Sequence, residues 1–468
     1  MKEINLQTRA HTVPVTDYSN PSPRDTTTLA VIGLGYVGLP LAILASEKGF
    51  PVIGFDIDAK KVDAITRRDV AYLSGRERAV LAEARNLRAT TNPADLKDST
   101  TFIICVPTPV SGEHEPDLEP LKSACRTVAA HLKRGDLVVV ESTVNPGVCE
   151  EVVTPILEKS SLAIEKDFFL AHCPERINPG DAKWDARSIP RVLGAAGPLS
   201  LERAHNLYAN LIEGEIKLMH SLKEAEAVKM VENAFRDINI AFVNELAMSF
   251  DRAGIDLVSV IRGAATKPFA FMAHYPGAGV GGHCIPVDPY YLIRYGEKNG
   301  FEHRFLKTAR AVNDKMPGYT VSLLAQALRK RRKQLSRSTI ALLGLAYKRD
   351  IGDERESPAH AIREILEKRG AIVRAFDPFV AKGSFSSLDE TLQDADAALI
   401  ATDHSAFRTL TPFHFMRSGV NVVVDGRNCL RREDFEESGI LYSGIGRAHR
   451  SMAEGFTRRA TTEGHANI

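Results

Sequence analysis

Over the first half of the chain, short runs of β-branched and aliphatic residues alternate with stretches whose apolar positions recur every three or four residues. The runs at 29–33, 51–56, 101–106, 136–142, 168–172 and 190–195 read as strands, and the stretches between them, where long enough, as helices. That alternation is the βαβ pattern of a parallel sheet. The pattern changes between 221 and 316. From Leu222 to Gly254 there is no proline, and no glycine before the last residue, while Val228, Val231, Phe235, Ile238, Phe242, Leu246 and Phe250 fall at helical steps. This predicts one long helix, which suits a spine between two domains or two subunits. A second alternating series at 340–347, 371–376, 397–401 and 420–425 predicts another α/β unit. The expected fold class is α/β: two doubly wound parallel sheets joined by a long central helix. The expected divisions are 29–220, 221–316 and 317–447, with a mobile tail at 1–28 and a second tail at 448–468.

Composition removes several alternatives. Lys and Arg total 60 against 59 Asp and Glu over 468 residues, so no global field attracts nucleic acid or an acidic membrane. The basic run Arg329–Lys333 closes a helical stretch and reads as a dipole-complementing C-terminus. Cys105, Cys125, Cys149, Cys173, Cys284 and Cys429 show no CxxC pair and no zinc spacing, which predicts a reduced, cytoplasmic chain without a metal. The apolar run Leu29–Ala45 falls short of the ~20 residues that span a bilayer, and it contains three glycines and Pro40. Neither a membrane span nor a targeting segment is expected there.

That same run carries the first chemical motif. Gly33-x-Gly35-x-x-Gly38 follows a strand and opens a helix, so its glycines permit a tight turn and close approach of a pyrophosphate. The next strand ends in Asp56, 23 residues beyond Gly33, where a carboxylate accepts hydrogen bonds from an adenosine ribose. Both α/β units thus read as Rossmann-like, the first binding NAD in preference to NADP. Three strand ends carry Pro107-Thr108-Pro109, Ser142-Thr143 and Pro174-Glu175-Arg176, each readable as ligand-lining or as a plain capped turn.

The window Tyr275–Pro289 is the most informative. Four glycines in six residues precede Cys284, a thiol among backbone donors, and Asp288 follows; this favours a nucleophile over an inert buried cysteine. On the long helix Lys229 and Asn233 share a face and could stabilise an oxyanion, while the Glu-rich segment around them reads as solvated.

Together the GxGxxG turn, KMVENAF with Lys229 and Asn233, GGHCIPVDP, GxAYKxDIGDERESPA from Gly344 to Ala359, and Asp425-Gly426-Arg427 resemble the UDP-glucose/GDP-mannose dehydrogenase family, in family order, from Leu29 to Gly446. The resemblance implies oxidation of a nucleotide-sugar C6 hydroxymethyl group to a carboxylate with two NAD. Cys284 would carry a thiohemiacetal and then a thioester. It implies that Lys229, Asp288 and Asn233 flank the reacting centre and that Glu175 serves thioester hydrolysis. For NAD it implies Gly33, Gly35, Gly38, Asp56, Thr108, Thr143 and Arg355. For the UDP-sugar it implies Tyr275, Gly279, Gly282, Lys348 and Arg427, the cations suiting a diphosphate. It also implies that 29–220 binds NAD, that 317–447 binds UDP-sugar, and that the long helix forms a homodimer interface. Where UDP-glucose and GDP-mannose enzymes usually show Ser and Lys, this chain has His283 and Val287. GGHCIPVDP and PERINPGD resemble the subgroup that oxidises UDP-N-acetylhexosamines, with UDP-N-acetylglucosamine favoured over UDP-N-acetylmannosamine. The arginine that UDP-glucose enzymes carry before the glycine-rich loop has Lys267 as its nearest counterpart. A single-step hydroxyacid-type dehydrogenase would share the fingerprint but needs no Cys in such a loop. A nucleotide-sugar sensor would not require Lys229 and Cys284 together.

Overall fold

The computed structural model describes residues 27–70, 72–110, 115–177, 184–282 and 284–448. The expected tails lie outside these residues except for Thr27, Thr28 and Ala448, as do His283 and the end of PERINPGD.

Eight strands form the first sheet: β1 (Leu29–Ile32), β2 (Val52–Phe55), β3 (Leu87–Thr90), β4 (Thr101–Ile104), β5 (Leu137–Val140), β6 (Phe169–His172), β7 (Arg191–Ala195) and β8 (Ile216–Leu218). Their spatial order is β3-β2-β1-β4-β5-β6-β7-β8. β1 lies in register between β2 and β4, Leu29 facing Val52 on one side and Thr101 on the other. β1, β4 and β5 are buried at every residue, which is why they read as unbroken apolar runs. The chain order reverses beside β1, and crevices at such switch points bind ligands beyond the strands' carboxyl ends.

One pairing departs from the expected parallel sheet: β7 runs antiparallel to β6. A parallel return needs a crossover of a dozen or more residues, usually helical. Among the described residues between His172 and Arg191 there is no helix. β3, β8 and the last strand of the second sheet escaped the sequence reading because edge strands are short and partly polar, as LRAT and IKL show.

The second sheet comprises β9 (Thr339–Leu343), β10 (Ile372–Phe376), β11 (Ala397–Ile400), β12 (Val422–Asp425) and β13 (Leu441–Gly444), all parallel, ordered β10-β9-β11-β12-β13. It repeats the first turn in outline. Gly344 has φ +93°, and Leu345 N donates to Asp377 Oδ2 at 2.6 Å across the β9 and β10 ends.

The helix Leu222–Ala253 runs as the spacing predicts. The Ser221 side chain accepts from Glu224 N at 3.1 Å, and Gly254 ends the helix at φ +72°. The helix Arg304–Lys330 packs beside it, and the expected division at 316/317 falls inside that second helix. The predicted apolar stripe is divided: Val231, Phe235 and Phe242 are about half exposed, whereas Ile238, Leu246 and Phe250 are partly buried against the cores. Small residues such as Ala225 and Ala247 are buried, together with the polar Glu226, Asn233, Asp237 and Asn244. The solvated reading of the Glu-rich segment therefore fails at Glu226, which is fully buried. Asp237 accepts from Arg310 at 2.6 Å, and Asn244 donates to Asn313 at 2.9 Å, tying the two long helices. No helix among the described residues is long and apolar enough to cross a membrane.

Candidate active site

The glycine turn is dictated by clearance. A Cβ on Gly33, whose φ is +94°, would come within 2.8 Å of the Cys105 carbonyl oxygen, and one on Gly38 would overlap the Gly33 carbonyl. Gly35 faces open space. Two glycines thus close the turn and the third leaves room above it. Asp56 is buried beside the turn; its carboxylate accepts from Leu34 N at 2.8 Å, Asp58 N at 2.9 Å and the Lys61 ammonium at 3.3 Å. Open space over Gly35, the N-terminus of the helix Gly38–Glu47 and a fixed carboxylate fit the pyrophosphate and ribose of NAD.

The strand-end loops are tied to one another. Thr108 Oγ1 donates to the Thr143 carbonyl at 2.6 Å, and Tyr291 donates to the Thr108 carbonyl at 2.6 Å. Glu226 reaches from the long helix to accept from Gly147 N at 2.5 Å and Cys149 N at 2.7 Å. These two donors belong to the turn after β5, so the spine holds the cofactor-side loop directly.

The glycine-rich loop rests on the second sheet. Ala278 N donates to the Gly426 carbonyl at 3.1 Å and Gly282 N to the Arg355 carbonyl at 3.1 Å. Gly279 and Gly282 have φ +139° and +88°, and a Cβ on Gly282 would meet the Tyr347 ring at 2.8 Å. Backbone alone can pass there. Cys284 follows, and its carbonyl accepts from Asp288 N at 2.8 Å where the helix Asp288–Lys298 begins.

Around the thiol the predicted residues converge. Asn233 Nδ2 donates to the buried Asp288 Oδ2 at 2.5 Å, and Lys229, one turn earlier on the spine, acts on both Cys284 and Asp288. Burial pushes the Cys284 thiol up to about 12; Asp288 adds to the rise, whereas Lys229 and Arg355 oppose it. Burial pushes the Asp288 carboxyl up to about 7, opposed by the Asn233 hydrogen bond and Lys229. Glu175 is buried, accepts from Arg176 N at 2.6 Å and Ile177 N at 2.7 Å, and lies near enough to bear on Cys284.

Arg355 joins the two halves. Its guanidinium is held by Asp353 at 2.9 Å and lies 5.7 Å from the centre of the Tyr36 ring in the first glycine turn. Of the expected UDP-sugar residues, Tyr275, Gly279 and Gly282 belong to the loop, and Lys348 and Arg427 follow strands of the second sheet. Tyr275 is half exposed at the start of the loop, Lys348 is half-buried on the turn after β9, and Arg427 Nη1 would be 3.1 Å from a Cβ on Gly277. Arg427 shares Asp403 with Arg349 and Arg408, three guanidiniums around one carboxylate.

Sequence reasoning missed Glu226, Asp403, Glu141 and Arg191. The last two carried a readable signal, a lone charge at the end of VVVES and at the head of RVLGA, each beside a strand too apolar to leave it in water.

Three family domains match in order. The UDP-glucose/GDP-mannose dehydrogenase family's NAD binding domain covers residues 27–212, its central domain 223–315 and its UDP binding domain 341–432. The chain is 38% identical to the UDP-N-acetyl-D-mannosamine dehydrogenase of Pyrococcus horikoshii, over 90% of this chain and 99% of the relative. It is 42% identical to the UDP-N-acetyl-D-glucosamine 6-dehydrogenase of Pseudomonas aeruginosa, over 75% and 83%. The solved structure of the Pyrococcus horikoshii UDP-D-ManNAc dehydrogenase superposes with a TM-score of 0.84 over 90% of this chain and 99% of that one. A UDP-glucose dehydrogenase from Pyrobaculum islandicum, 27% identical, gives 0.80 over 92% and 100%.

Proposed function

The chain belongs to the UDP-glucose/GDP-mannose dehydrogenase family and is an NAD-dependent oxidoreductase; from that premise we propose that it oxidises the C6 hydroxymethyl group of a UDP-N-acetylhexosamine to the carboxylate. The observation that carries the reading is Cys284 at the end of a loop only backbone can occupy, with Lys229, the Asn233–Asp288 pair and Glu175 around it.

NAD, when bound, accepts one hydride in each of two oxidations. In the first, the hydroxyl proton and a C6 hydride leave and an aldehyde remains; Lys229 and the Asn233 amide stabilise negative charge on its oxygen. The Cys284 thiol then adds across the C6 carbonyl, its sulfur bonding to C6 and its proton passing to the oxygen, giving a thiohemiacetal, and loss of the second hydride together with that hydroxyl proton gives a thioester. Asp288 orients a water. Glu175 takes a proton from that water as its oxygen bonds to C6, the C–S bond breaks, the sulfur regains a proton and the uronate leaves. A thiol that burial keeps protonated suits this sequence, because it is spent only when the aldehyde is in reach.

Gly33, Gly35, Gly38, Asp56, Thr108, Thr143 and Arg355 hold the cofactor. Lys348 and Arg427 meet the diphosphate, while Tyr275, Gly279 and Gly282 line the sugar's approach. His283 and Val287 favour an N-acetyl sugar over glucose. UDP-N-acetylglucosamine is preferred, in keeping with the higher identity of the Pseudomonas aeruginosa relative; the fuller coverage of the Pyrococcus horikoshii one makes UDP-N-acetylmannosamine the second reading. The half-exposed Val231, Phe235 and Phe242 form the seam of a homodimer along the long helix. Residues 29–220 serve NAD, 221–316 the seam and nucleophile, and 317–447 the UDP-sugar. Soluble nucleotide substrates point to cytoplasmic work.

Measuring kcat/KM for UDP-N-acetylglucosamine, UDP-N-acetylmannosamine and UDP-glucose in parallel tests the assignment. The highest value is expected with UDP-N-acetylglucosamine, and turnover confined to UDP-glucose would overturn it.

A further inference from the structure

The carboxyl edge of the first sheet holds three buried charges, of which the reaction as described uses only Glu175. Glu141 follows β5, Glu175 follows β6, and Arg191 opens β7. Because β7 runs antiparallel, its first residue stands at the edge where the parallel strands end; a parallel β7 would carry Arg191 to the opposite edge. Arg191 Nη1 lies 3.2 Å from Glu175 Oε1 and 3.5 Å from Glu141 Oε2, with side chains 1%, 7% and 0% exposed respectively. Tyr208 donates its hydroxyl to the other oxygen of Glu141. Arg191 Nε, Nη1 and Nη2 and Glu141 Oε2 make no hydrogen bond. A whole buried guanidinium thus faces two carboxylates through space, without a fork to either. One positive charge offsets only one of them, and in so dry a setting the difference is large.

Resting on the role of Glu175 proposed above, we infer that Arg191 and Glu141 are positioning residues for thioester hydrolysis: Arg191 offsets the Glu175 charge and aims its carboxylate at the water, and Glu141 competes for that same positive charge. As an O–H bond of water breaks and one forms on Glu175, the Glu175 charge vanishes and the guanidinium remains offset by Glu141. The site never buries a lone cation. Burial drives the Glu141 carboxyl upward, Arg191 opposes the rise and Glu175 reinforces it, as competition between the two requires. Among the described residues Glu175 also bears on the Cys105, Cys173 and Cys284 thiols, while the Arg176 guanidinium is turned to Glu232.

The test separates hydrolysis from oxidation by following NADH absorbance and the intact mass of the protein in rapid-quench experiments. R191M is expected to keep the NADH burst, turn over slowly and accumulate a uronyl adduct on Cys284, with R191K restoring hydrolysis. E141Q keeps an acceptor for Tyr208 but loses the competing charge. Its hydrolysis should persist to lower pH, the acid limb moving down by about one unit, whereas R191M moves it up. The dissociation constant for the sugar stays unchanged in all three. Limbs moving in the same direction, or slow turnover without an adduct, would overturn the inference. If R191M fails to fold, the E141Q limb decides alone. E175Q isolates the premise: free turnover with no adduct in E175Q removes the base itself. An E175Q adduct beside an unmoved E141Q limb removes only the Arg191–Glu141 assignment.

Discussion

Replacing Asp288 by Asn should reverse part of the pH dependence of stability. The Asp288 carboxyl is 2% exposed and its pKa rises from an ordinary 3.8 to about 7 because burial disfavours the charge. Below pH 3.8 the group is protonated in folded and unfolded chains and contributes nothing. Between 3.8 and 7 the unfolded chain has released a proton that the native site still binds, so stability falls as pH rises, by about 1.4 kcal/mol per pH unit. Above 7 the full cost of holding an ionised carboxylate there is reached, about 4 kcal/mol. Asn keeps an oxygen that accepts from Asn233 Nδ2 but has no charge to lose. The stability of D288N relative to the parent should therefore increase by about 3 kcal/mol between pH 5 and pH 8. Urea unfolding of both proteins at four pH values, followed by circular dichroism, reads this difference. A relative stability constant across that range, or one that grows toward acid, would refute the reasoning that burial governs Asp288.

Three further expectations follow. Asp56→Ala removes the carboxylate beside the glycine turn and should raise the KM for NAD about tenfold or more with little change in that for the sugar; equal losses would disconnect Asp56 from the cofactor. With its thiol held up to about 12, Cys284 should react with iodoacetamide at pH 8 about a thousandfold more slowly than a free thiol, and more slowly again in K229M; peptide mass spectrometry measures both, and rapid modification would contradict the burial argument. Phe242→Asp should shift the protein from dimer toward monomer in sedimentation, and an unchanged assembly would mean that this helix face is not the seam.

What the sequence made legible followed burial. Strands covered on both faces, such as β1, β4 and β5, announced themselves as unbroken apolar runs, and the long helix announced itself by spacing and a glycine stop. Residues whose chemistry requires a local motif, Gly33, Gly35, Gly38 and Cys284 among them, were readable because only glycine or a thiol serves there. Glu226, Glu141 and Arg191 were harder. Their partners lie 77, 50 and 16 or more residues away in sequence, and a charge reads as solvated until the fold shows it buried. The helix faces show the same limit: periodicity located an apolar stripe on the spine, yet three of its residues stand half exposed while much of the buried face is small or polar. The antiparallel β7 lay beyond reach because no apolar pattern encodes strand direction, and it is β7 that brings Arg191 to the site.

The central claim is a covalent four-electron oxidation through Cys284, and the NADH yield at completion with limiting UDP-N-acetylhexosamine tests it most directly, parent beside Cys284→Ser. Two NADH per sugar from the parent, and no uronate from the Ser variant while the sugar still binds, is the result expected. One NADH per sugar from the parent, or two from the Ser variant, would contradict it.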